Sequence, residues 1–340
     1  MTLRLIEGFD HFNTTTLAAL KGWQFLNNTG GSPVTWVAGR LNGNAVKITG
    51  VNSLSDISLT KFLPVTASTV VAGFAVRPVS FPMSQLVLLV SSTGAPILVL
   101  GFDSAGRLQI KNSGLTVIAT GTTLFATGAW FYVEVKAVVA GASGSVSAQV
   151  NGGAEIAATT ASIGTTAVGG IMLRTIDLTS ASFDDLYVCD TAGTENNSFL
   201  GDRHVDTLFP TADGTHTDMA PDSGTAHYSR VNETSPDGDS SYVATNVLNA
   251  IDSYQVGSVS VPTADVRGIQ TNLWARKDDA ALRQVAPLIR VATTDYPGST
   301  QTLAATYVDY TQIYEQNPGT SADWTVPDID AAEYGVKVVT

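Results

Sequence analysis

Apolar and polar residues alternate along much of this chain, with the period of two that a β-strand produces. Residues 107–111 and 131–136 both show the alternation, with Phe131 and Val133 on the side that would face a core. Helical periodicity is nearly absent, and we expect at most a helical turn or two near residues 245–251. The pattern predicts an all-β protein.

Turn signals separate these short strands. The dipeptide Asn151-Gly152 follows the alternating residues 146–150 and is a strong signal for a β-hairpin. Residues 91–94 and 103–106 indicate two further turns. Short strands joined this often favour antiparallel β-sandwiches, such as jelly rolls.

Charge is distributed unevenly along the 340 residues, which carry a formal net charge of −12. Residues 1–190 hold ten basic and ten acidic side chains, whereas residues 191–340 hold eight basic and twenty acidic ones. A polar stretch without periodicity, residues 191–198, lies where the balance changes. We therefore predict two tandem domains, a jelly roll over residues 1–195 and an acidic second β-sandwich over residues 196–340.

Composition also limits the classes of partner. The acidic half disfavours nucleic acid, because phosphate contacts need Lys and Arg. No uninterrupted apolar run reaches the roughly 18 residues of a membrane-spanning helix, and the first residues lack an apolar stretch of signal-peptide length, so we expect neither membrane insertion nor Sec export. Cys189 is the single cysteine, and we expect it to be buried as a small apolar side chain.

Residues 1–190 resemble the concanavalin A-like and laminin-G-like jelly rolls. Four segments carry the resemblance, in the order in which such domains have them: residues 7–10, 39–46, 130–152 and 183–187. The resemblance implies that the last of these segments is the closing strand and lies beside the first strand. We therefore expect residues near 5–9 to pair with residues near 183–188.

Residues 196–340 resemble a module that follows such jelly rolls in structural proteins of tailed bacteriophages. The resembling segments are residues 197–202, 236–243, 275–279, 310–315 and 332–336. The resemblance implies a non-enzymatic protein of the virion surface, made in the host cytoplasm and placed on the tail, tail tip or fibre, or on the capsid as decoration. Its partners would be other virion proteins, further copies of itself and a host-surface glycan.

The concanavalin A-like fold also includes glycosidases. A retaining enzyme of this class carries a Glu-x-Asp-x-x-Glu motif, whose two glutamates lie about 5 Å apart. The chain has no such motif, and Glu134 is the single acid of its strand. Asp184 and Asp185 are expected on opposite faces of one strand, because side chains alternate. We predict no catalytic residue and no enzymatic activity.

Acidic loop residues are the candidate calcium ligands, since calcium takes about six to eight oxygens. Asp237 and Asp239 flank Gly238 in an acid–glycine–acid turn, and Asp103 and Asp177 are loop acids of the first half. The full spacing of an EF-hand loop is missing. A solvated turn is the favoured interpretation, and no cofactor is predicted.

The four histidines are His11, His204, His216 and His227, and none of them has a second ligand at metal-binding spacing. His216 and His227 occur in loop sequence. We expect both of them at the surface, with no zinc site.

Tryptophan can form a platform for a sugar ring, because its face is apolar and its edge carries a donor. Trp23, Trp36 and Trp274 lie in strand-like sequence and are expected in the core. Trp324 lies in a loop and is the candidate glycan-binding residue. A carbohydrate-binding receptor-recognition protein is therefore the main alternative to a purely structural role. A polysaccharide-degrading enzyme is a further alternative, which the missing glutamate pair disfavours.

Overall fold

The computed structural model describes residues 3–26, 34–50, 57–176 and 178–340. The chain divides into two compact units, residues 1–205 and residues 206–340. Both units consist almost entirely of antiparallel strands, which confirms the all-β prediction. Within these ranges, no helix is long and apolar enough to cross a membrane.

The described residues of unit 1 form two large sheets and one short helix. The elements are β1 Leu3–Glu7, α1 Thr15–Leu20, β2 Trp23–Leu26, β3 Val34–Ala38, β4 Asn44–Thr49, β5 Ile57–Ala67, β6 Thr69–Pro78, β7 Met83–Val90, β8 Pro96–Phe102, β9 Leu108–Asn112, β10 Val117–Thr120, β11 Phe131–Val138, β12 Ser145–Val150, β13 Gly153–Thr160, β14 Val168–Thr175 and β15 Ser180–Asp190. Sheet 1 has the order β13-β12-β11-β6-β15-β4-β3, and β1 also pairs with β15. Sheet 2 has the order β10-β9-β8-β7-β14-β5-β2.

The core of unit 1 lies between these two sheets and follows the alternation in the sequence. Val133 of β11 and Val87 of β7 are fully buried members of one apolar cluster. Burying such a side chain stabilises a fold by about 1.5–3 kcal/mol, so the pattern determines which side of each strand faces inward. The expected pairing of first and closing strands is confirmed, because Leu5 lies opposite Val188. Cys189 is buried, as predicted.

All three predicted turns of unit 1 join antiparallel neighbours. Residues 91–94 connect β7 to β8, residues 103–106 connect β8 to β9, and Asn151-Gly152 connects β12 to β13. Asn151 and Gly152 both have positive φ, 49° and 75°, as a tight turn of this kind requires. These turns keep sequence neighbours adjacent within each sheet.

Residues 198–205, here called the strap, are fastened to the outer face of sheet 1. The amides of Leu200 and Gly201 donate to Oε1 of Glu134 at 2.8 and 2.9 Å. The amide of Val205 donates to Oδ1 of Asp185 at 2.9 Å. The strap therefore belongs to unit 1, which ends at residue 205 instead of the predicted residue 195.

A sheet of six strands and three smaller sheets make up the described residues of unit 2. The elements are β16 Pro210–Thr217, β17 Ala220–Pro221, β18 Val243–Ala244, β19 Ile251–Val256, β20 Ile269–Ala275, β21 Gln284–Val291, β22 Thr294–Pro297, β23 Gln301–Thr302, β24 Val308–Tyr314, β25 Gln316–Asn317, β26 Ala322–Asp323, α2 Val326–Ala331 and β27 Glu333–Val338. Sheet 3 has the order β16-β19-β27-β21-β22, and β23 also pairs with β21. The pairs β17–β18, β20–β24 and β25–β26 form the small sheets.

The two-stranded sheet β20–β24 packs on sheet 3 and completes a second sandwich. Ile269 and Tyr314 pack against Ile289 of β21 in one apolar cluster. Leu273 packs against Val285 and Val336 in another. Unit 2 is thus layered like unit 1, as the two-sandwich prediction requires.

The prediction of a helical turn near residues 245–251 is wrong. This segment is irregular, and Asn249 has a φ of 64°, which a right-handed helix excludes. A short helix forms instead after Thr325, whose hydroxyl accepts the amide of Asp328 while the Asp328 carboxylate accepts the amide of Thr325. This reciprocal capping box satisfies two amides that the helix leaves unpaired.

Candidate functional site

One side of the β20–β24 sheet points away from the core of unit 2. Ile269 and Leu273 face the core, so the alternate residues Asn272 and Trp274 project to the other side. Trp274 is half-buried, and Asn272 is exposed. We call this surface the Trp274 face; it comprises Gln270, Asn272, Trp274, Thr311 and the neighbouring Arg276, Tyr307 and Asp239.

Arg276 follows Trp274 on the same side and is fixed by two neighbours. Its guanidinium carbon lies 5.4 Å from the centre of the Tyr307 ring. Its Nε and Nη2 donate to Oδ1 of Asp239 at 3.1 and 2.9 Å, and the Tyr307 hydroxyl donates to the same oxygen at 2.8 Å. These donors all use Oδ1, and the Asp239 side chain is 63% exposed, so Oδ2 is available as an acceptor.

Hydrogen bonding holds these three groups in definite protonation states. The bond from Tyr307, followed by those from Arg276, lowers the pKa of Asp239. The bond to Asp239 raises the pKa of Arg276, and partial burial together with the same carboxylate raises the pKa of Tyr307. At neutral pH the carboxylate is ionised and the guanidinium is protonated. Their charges cancel, and their positions are fixed before any ligand arrives.

The Trp274 face combines an apolar ring surface with oriented polar groups. An indole that is half-exposed can stack on the C–H face of a pyranose ring. Oδ2 of Asp239, the amide of Asn272 and the guanidinium edge of Arg276 supply acceptors and donors for hydroxyl groups. This combination suits a neutral, amphipathic ligand such as a sugar.

The predicted calcium ligands of the second half are engaged by protein groups. Asp237 accepts the amide and the hydroxyl of Ser241 at 3.3 and 3.1 Å. At Asp239, Arg276 already supplies the positive charge. Among the described residues, no group of three or more His, Cys, Asp or Glu side chains is placed to hold a metal ion.

Asp103 stabilises its own turn. Its Oδ1 accepts the amides of Ala105 and Arg107, both at 2.9 Å, and its Oδ2 accepts Nε of Arg107 at 2.8 Å. The other loop acid of the first half, Asp177, lies outside the described residues.

Trp324 is in the core of unit 2. Its side chain is 2% exposed and packs with Ile289 and Ile329, and its Nε1 donates to the carbonyl of Tyr314 at 3.1 Å. No face of its ring is available to a sugar. The loop between β26 and α2 folds inward here because the ring fills the space beneath β24, which the sequence context of a polar loop did not indicate.

The prediction that Trp23, Trp36 and Trp274 lie in the core is right for the first two and wrong for Trp274. Trp23 is buried, with its Nε1 donating to Oε2 of Glu7 at 3.0 Å, and Trp36 packs against the same core. Trp274 was expected in the core and lies on the outer side of β20 instead. The inward positions of that strand are taken by Ile269 and Leu273.

The acids weighed for catalysis in unit 1 are buried and have structural partners. Glu134 is fully buried and accepts the Tyr187 hydroxyl in addition to the strap. Asp184 and Asp185 do not alternate as predicted, since β15 has a bulge there and Asp185 has a φ of 51°. Both carboxylates consequently reach Arg40, Asp184 at the amide (2.7 Å) and Asp185 at Nη1 (3.5 Å).

The prediction that both loop histidines lie at the surface is wrong for His227. That side chain is buried, and its Nδ1 lies 2.7 Å from Oδ2 of Asp252, which is itself fully buried on β19. His216 is half-buried, with Nε2 at 3.1 Å from Oδ2 of Asp295. A buried carboxylate needs hydrogen-bond donors, and this requirement draws His227 inward.

Sequence reasoning missed Arg276, Tyr307 and Asn272 as site residues. The signal was present, because Asn272, Trp274 and Arg276 occupy alternate positions in the sequence. What the sequence did not show is the strand pairing that brings Tyr307 beside Arg276. The 30 positions between them include β21, β22 and β23.

The fold and this face define a two-sandwich β protein with an aromatic and polar surface on its second unit. No family model and no curated protein matches the chain. Among solved structures, it is similar to the cellulose-induced protein Cip1, with a TM-score of 0.43, 15% identity, and coverage of 57% of this chain and 100% of that one.

Two further similar structures are an arabinanase domain with a bound sugar and a carbohydrate-binding module. One is domain 4 of AbnA, an extracellular arabinanase from Geobacillus stearothermophilus, in complex with arabinotriose (TM-score 0.37, 17% identity, 55% of this chain and 92% of that one). The other is the carbohydrate-binding module CBM66 from Bacillus subtilis (TM-score 0.34, 11% identity, 50% and 96%). All three TM-scores are below 0.5, so these likenesses carry no conclusion about what the chain binds.

Proposed function

We propose that this protein binds carbohydrate without cleaving it, through the Trp274 face. The observation that carries the proposal is the half-exposed Trp274 beside the Arg276–Asp239 pair, whose second carboxylate oxygen is available to a ligand. A sugar ring would stack on the indole, and its hydroxyls would bond to Asp239, Arg276 and Asn272.

Preorganisation supports binding at this face. Arg276 is held between the Tyr307 ring and Asp239, so little side-chain freedom is lost when a ligand arrives. The charges of Arg276 and Asp239 cancel, and Asp309 lies opposite Trp274 in the β20–β24 register, so the face favours a neutral sugar over an anionic one.

The charge state of Asp239 supports the non-catalytic part of the proposal. A glycosidase needs a carboxylic acid with a raised pKa as proton donor. The pKa of Asp239 is lowered by Tyr307 and Arg276. Glu134, Asp184 and Asp185 in unit 1 are buried, at 0–2% exposure, and hold main-chain or side-chain groups of the protein.

The virion setting drawn from the sequence resemblance stays a prediction, as do homo-oligomer formation and contact with other virion proteins. In that setting, the bound carbohydrate would be a polysaccharide of the host surface. Binding at the Trp274 face would then place the protein among receptor-recognition components.

The test is a glycan array of neutral oligosaccharides with the intact protein, followed by calorimetry on the best ligand. We expect Trp274→Ala to weaken binding at least tenfold, because the sugar ring loses the indole on which it stacks and the apolar surface that this contact buries. Leu124→Ala, which removes an exposed apolar side chain of unit 1 outside either proposed site, is the control. Unchanged affinity in Trp274→Ala would refute the assignment to this face, and release of shorter sugars would refute the non-catalytic reading.

A further inference from the structure

We infer that unit 1 has a second binding site, for the carboxylate or phosphate group of an acidic saccharide, between Arg77 and Lys47 on the outer face of sheet 1. The site is separate from the Trp274 face and does not rest on it. We call it the Arg77–Lys47 site.

The strand register brings the two cations to either side of one small residue. Ser182 of β15 lies opposite Arg77 of β6 and, on its other side, opposite Lys47 of β4. The flanking residues Ala181 and Phe183 belong to the core, so Ser182 and its two partners point outward. Neighbouring strands lie about 4.8 Å apart, which puts the two cationic residues roughly 10 Å apart at the backbone. Their long side chains can therefore meet over Ser182. We call Arg77, Ser182 and Lys47 the Arg77–Lys47 row.

Trp130 orients the guanidinium of Arg77. The guanidinium carbon lies 4.9 Å from the centre of the Trp130 ring. Stacking uses the flat face of the group and leaves its N–H donors at the edge. Those donors match the paired oxygens of a carboxylate or a phosphate. On the far side of the row, Thr35 lies opposite Lys47 and adds a hydroxyl.

Among the described residues, no acid forms an ion pair with Arg77 or Lys47. Arg4, Lys21 and Arg40 of the same unit each form an ion pair with Asp or Glu. Within the part of the chain that the structure describes, Arg77 and Lys47 form none. Both side chains are half-buried, where water screens charge less than at a fully exposed position.

The nearest outward acid on β15 is Asp184, two positions from Ser182. Its oxygens already accept the amides of Arg40 and Asp185. Burial, together with the neighbouring Asp185 carboxylate, raises the pKa of Asp184 to about 8. At neutral pH it therefore contributes little negative charge to oppose an incoming anion.

The anchors of the strap lie away from Ser182. They are at Glu134 and at the bulge formed by Asp185, whereas the Arg77–Lys47 row crosses β15 at Ser182, before the bulge. Ser182 itself is buried, so a ligand would contact the half-buried side chains of Arg77 and Lys47 that lie beside it.

Calorimetry of the intact protein tests the site with three probes: tri-galacturonic acid, glucose phosphate and the uncharged maltotriose. We expect at least one anionic probe to bind, more weakly at high salt, and Arg77→Gln and Lys47→Gln each to reduce its affinity about tenfold. Arg77→Lys, which keeps the charge and loses the planar fork, should give an intermediate loss. Lys136→Gln is the matched control, since Lys136 projects from the same face of sheet 1 but lies about 20 Å along β11 from Trp130.

Binding of tri-galacturonic acid alone identifies the ligand group as a carboxylate, and binding of glucose phosphate alone identifies it as a phosphate; binding of both shows that charge dominates. The site is refuted if neither anion binds, if maltotriose binds the Trp274→Ala variant as tightly as the anions do, or if Lys136→Gln weakens anion binding as much as the two site variants. Trp274→Ala should leave anion binding unchanged, so failure here and failure at the Trp274 face give different results. Thermal unfolding of each variant verifies that it is folded, and Lys47→Gln tests the site independently of Arg77.

Discussion

The carboxylate of Glu134 accepts a hydrogen bond at 2.9 Å from the main-chain amide of Gly201, 67 positions later in the chain. The same oxygen accepts the amide of Leu200 and the hydroxyl of Tyr187. Glu134→Ala would leave these buried donors without an acceptor, and we expect it to lower the free energy of unfolding by about 3 kcal/mol. Urea denaturation measures the loss. Lys136→Ala on the same strand should cost less than about 0.5 kcal/mol, and equal losses would contradict the role of the strap.

The strap also predicts how fragments behave. The sequence predicts a jelly-roll domain over residues 1–195, but a fragment with these bounds lacks the amides that Glu134 and Asp185 bind. We expect residues 1–205 to unfold cooperatively and at higher urea than residues 1–195. Identical midpoints for the two fragments would show that the strap does not stabilise unit 1.

Gly73 allows sheet 1 to accommodate the ring of Tyr187. A Cβ atom at position 73 would lie 2.1 Å from Cε1 of Tyr187, whose ring is buried and cannot move aside. We expect Gly73→Ala to destabilise the protein by about 3 kcal/mol or to prevent folding. Gly257→Ala is the control, because nothing lies within 4 Å of its added Cβ. A thermal melt of both variants separates the steric effect from the general effect of losing a glycine.

His11 predicts a loss of stability in mild acid. Burial, and then the nearby Lys21 ammonium, lower the pKa of His11 to about 4, whereas in the unfolded chain it is about 6.5. Below about pH 6.5, His11 is protonated in the unfolded state, whereas in the folded state it stays neutral down to about pH 4. The free energy of unfolding therefore decreases as the pH falls across that range. The loss attributable to His11 is at most about 3 kcal/mol. His11→Gln, which keeps an acceptor for Lys21, should lose less between pH 7 and pH 4; parallel curves for the two proteins would overturn the assignment.

Asp239 allows the proposed sugar site to be tested without disturbing the fold. Asp239→Asn weakens the charge-assisted bonds from Arg276, and we expect about a tenfold loss of affinity for the neutral sugar that the array identifies. Stability should change little, because the side chain is mostly exposed. Asp279→Asn removes a similar exposed partner of an arginine, Arg283, in the same unit and should leave sugar affinity unchanged. A comparable loss in both variants would indicate a general effect of charge.

Much of the architecture was predictable because local patterns determine it. The alternation along β11 predicts its buried side, and the turn at Asn151-Gly152 predicts the β12–β13 hairpin. The closing strand was found through resemblance, and its pairing with β1 is observed. The capping box at Thr325 and Asp328 was visible in the sequence as well, yet the short helix that it begins was missed.

The rest depends on contacts that no local pattern encodes. The bulge at Asp185 requires a positive φ in a non-glycine residue, and Arg40 and the strap, both distant in sequence, stabilise it. No local pattern in residues 198–205 marks the strap, because its hydrogen-bond acceptors lie on strands that are distant in sequence. Similarly, Trp324 is drawn into the core by the shape of unit 2, although its neighbours in sequence are polar.

Three anchors of the strap are donated by main-chain amides, those of Leu200, Gly201 and Val205. Every residue except proline supplies such a donor, so the path of this segment does not depend on which side chains it carries. Over evolutionary time the sequence of the strap can drift while its course over the sheet persists. Recombination immediately after Val205 would then exchange the acidic unit for another module. The jelly roll would keep every hydrogen bond between the strap and sheet 1.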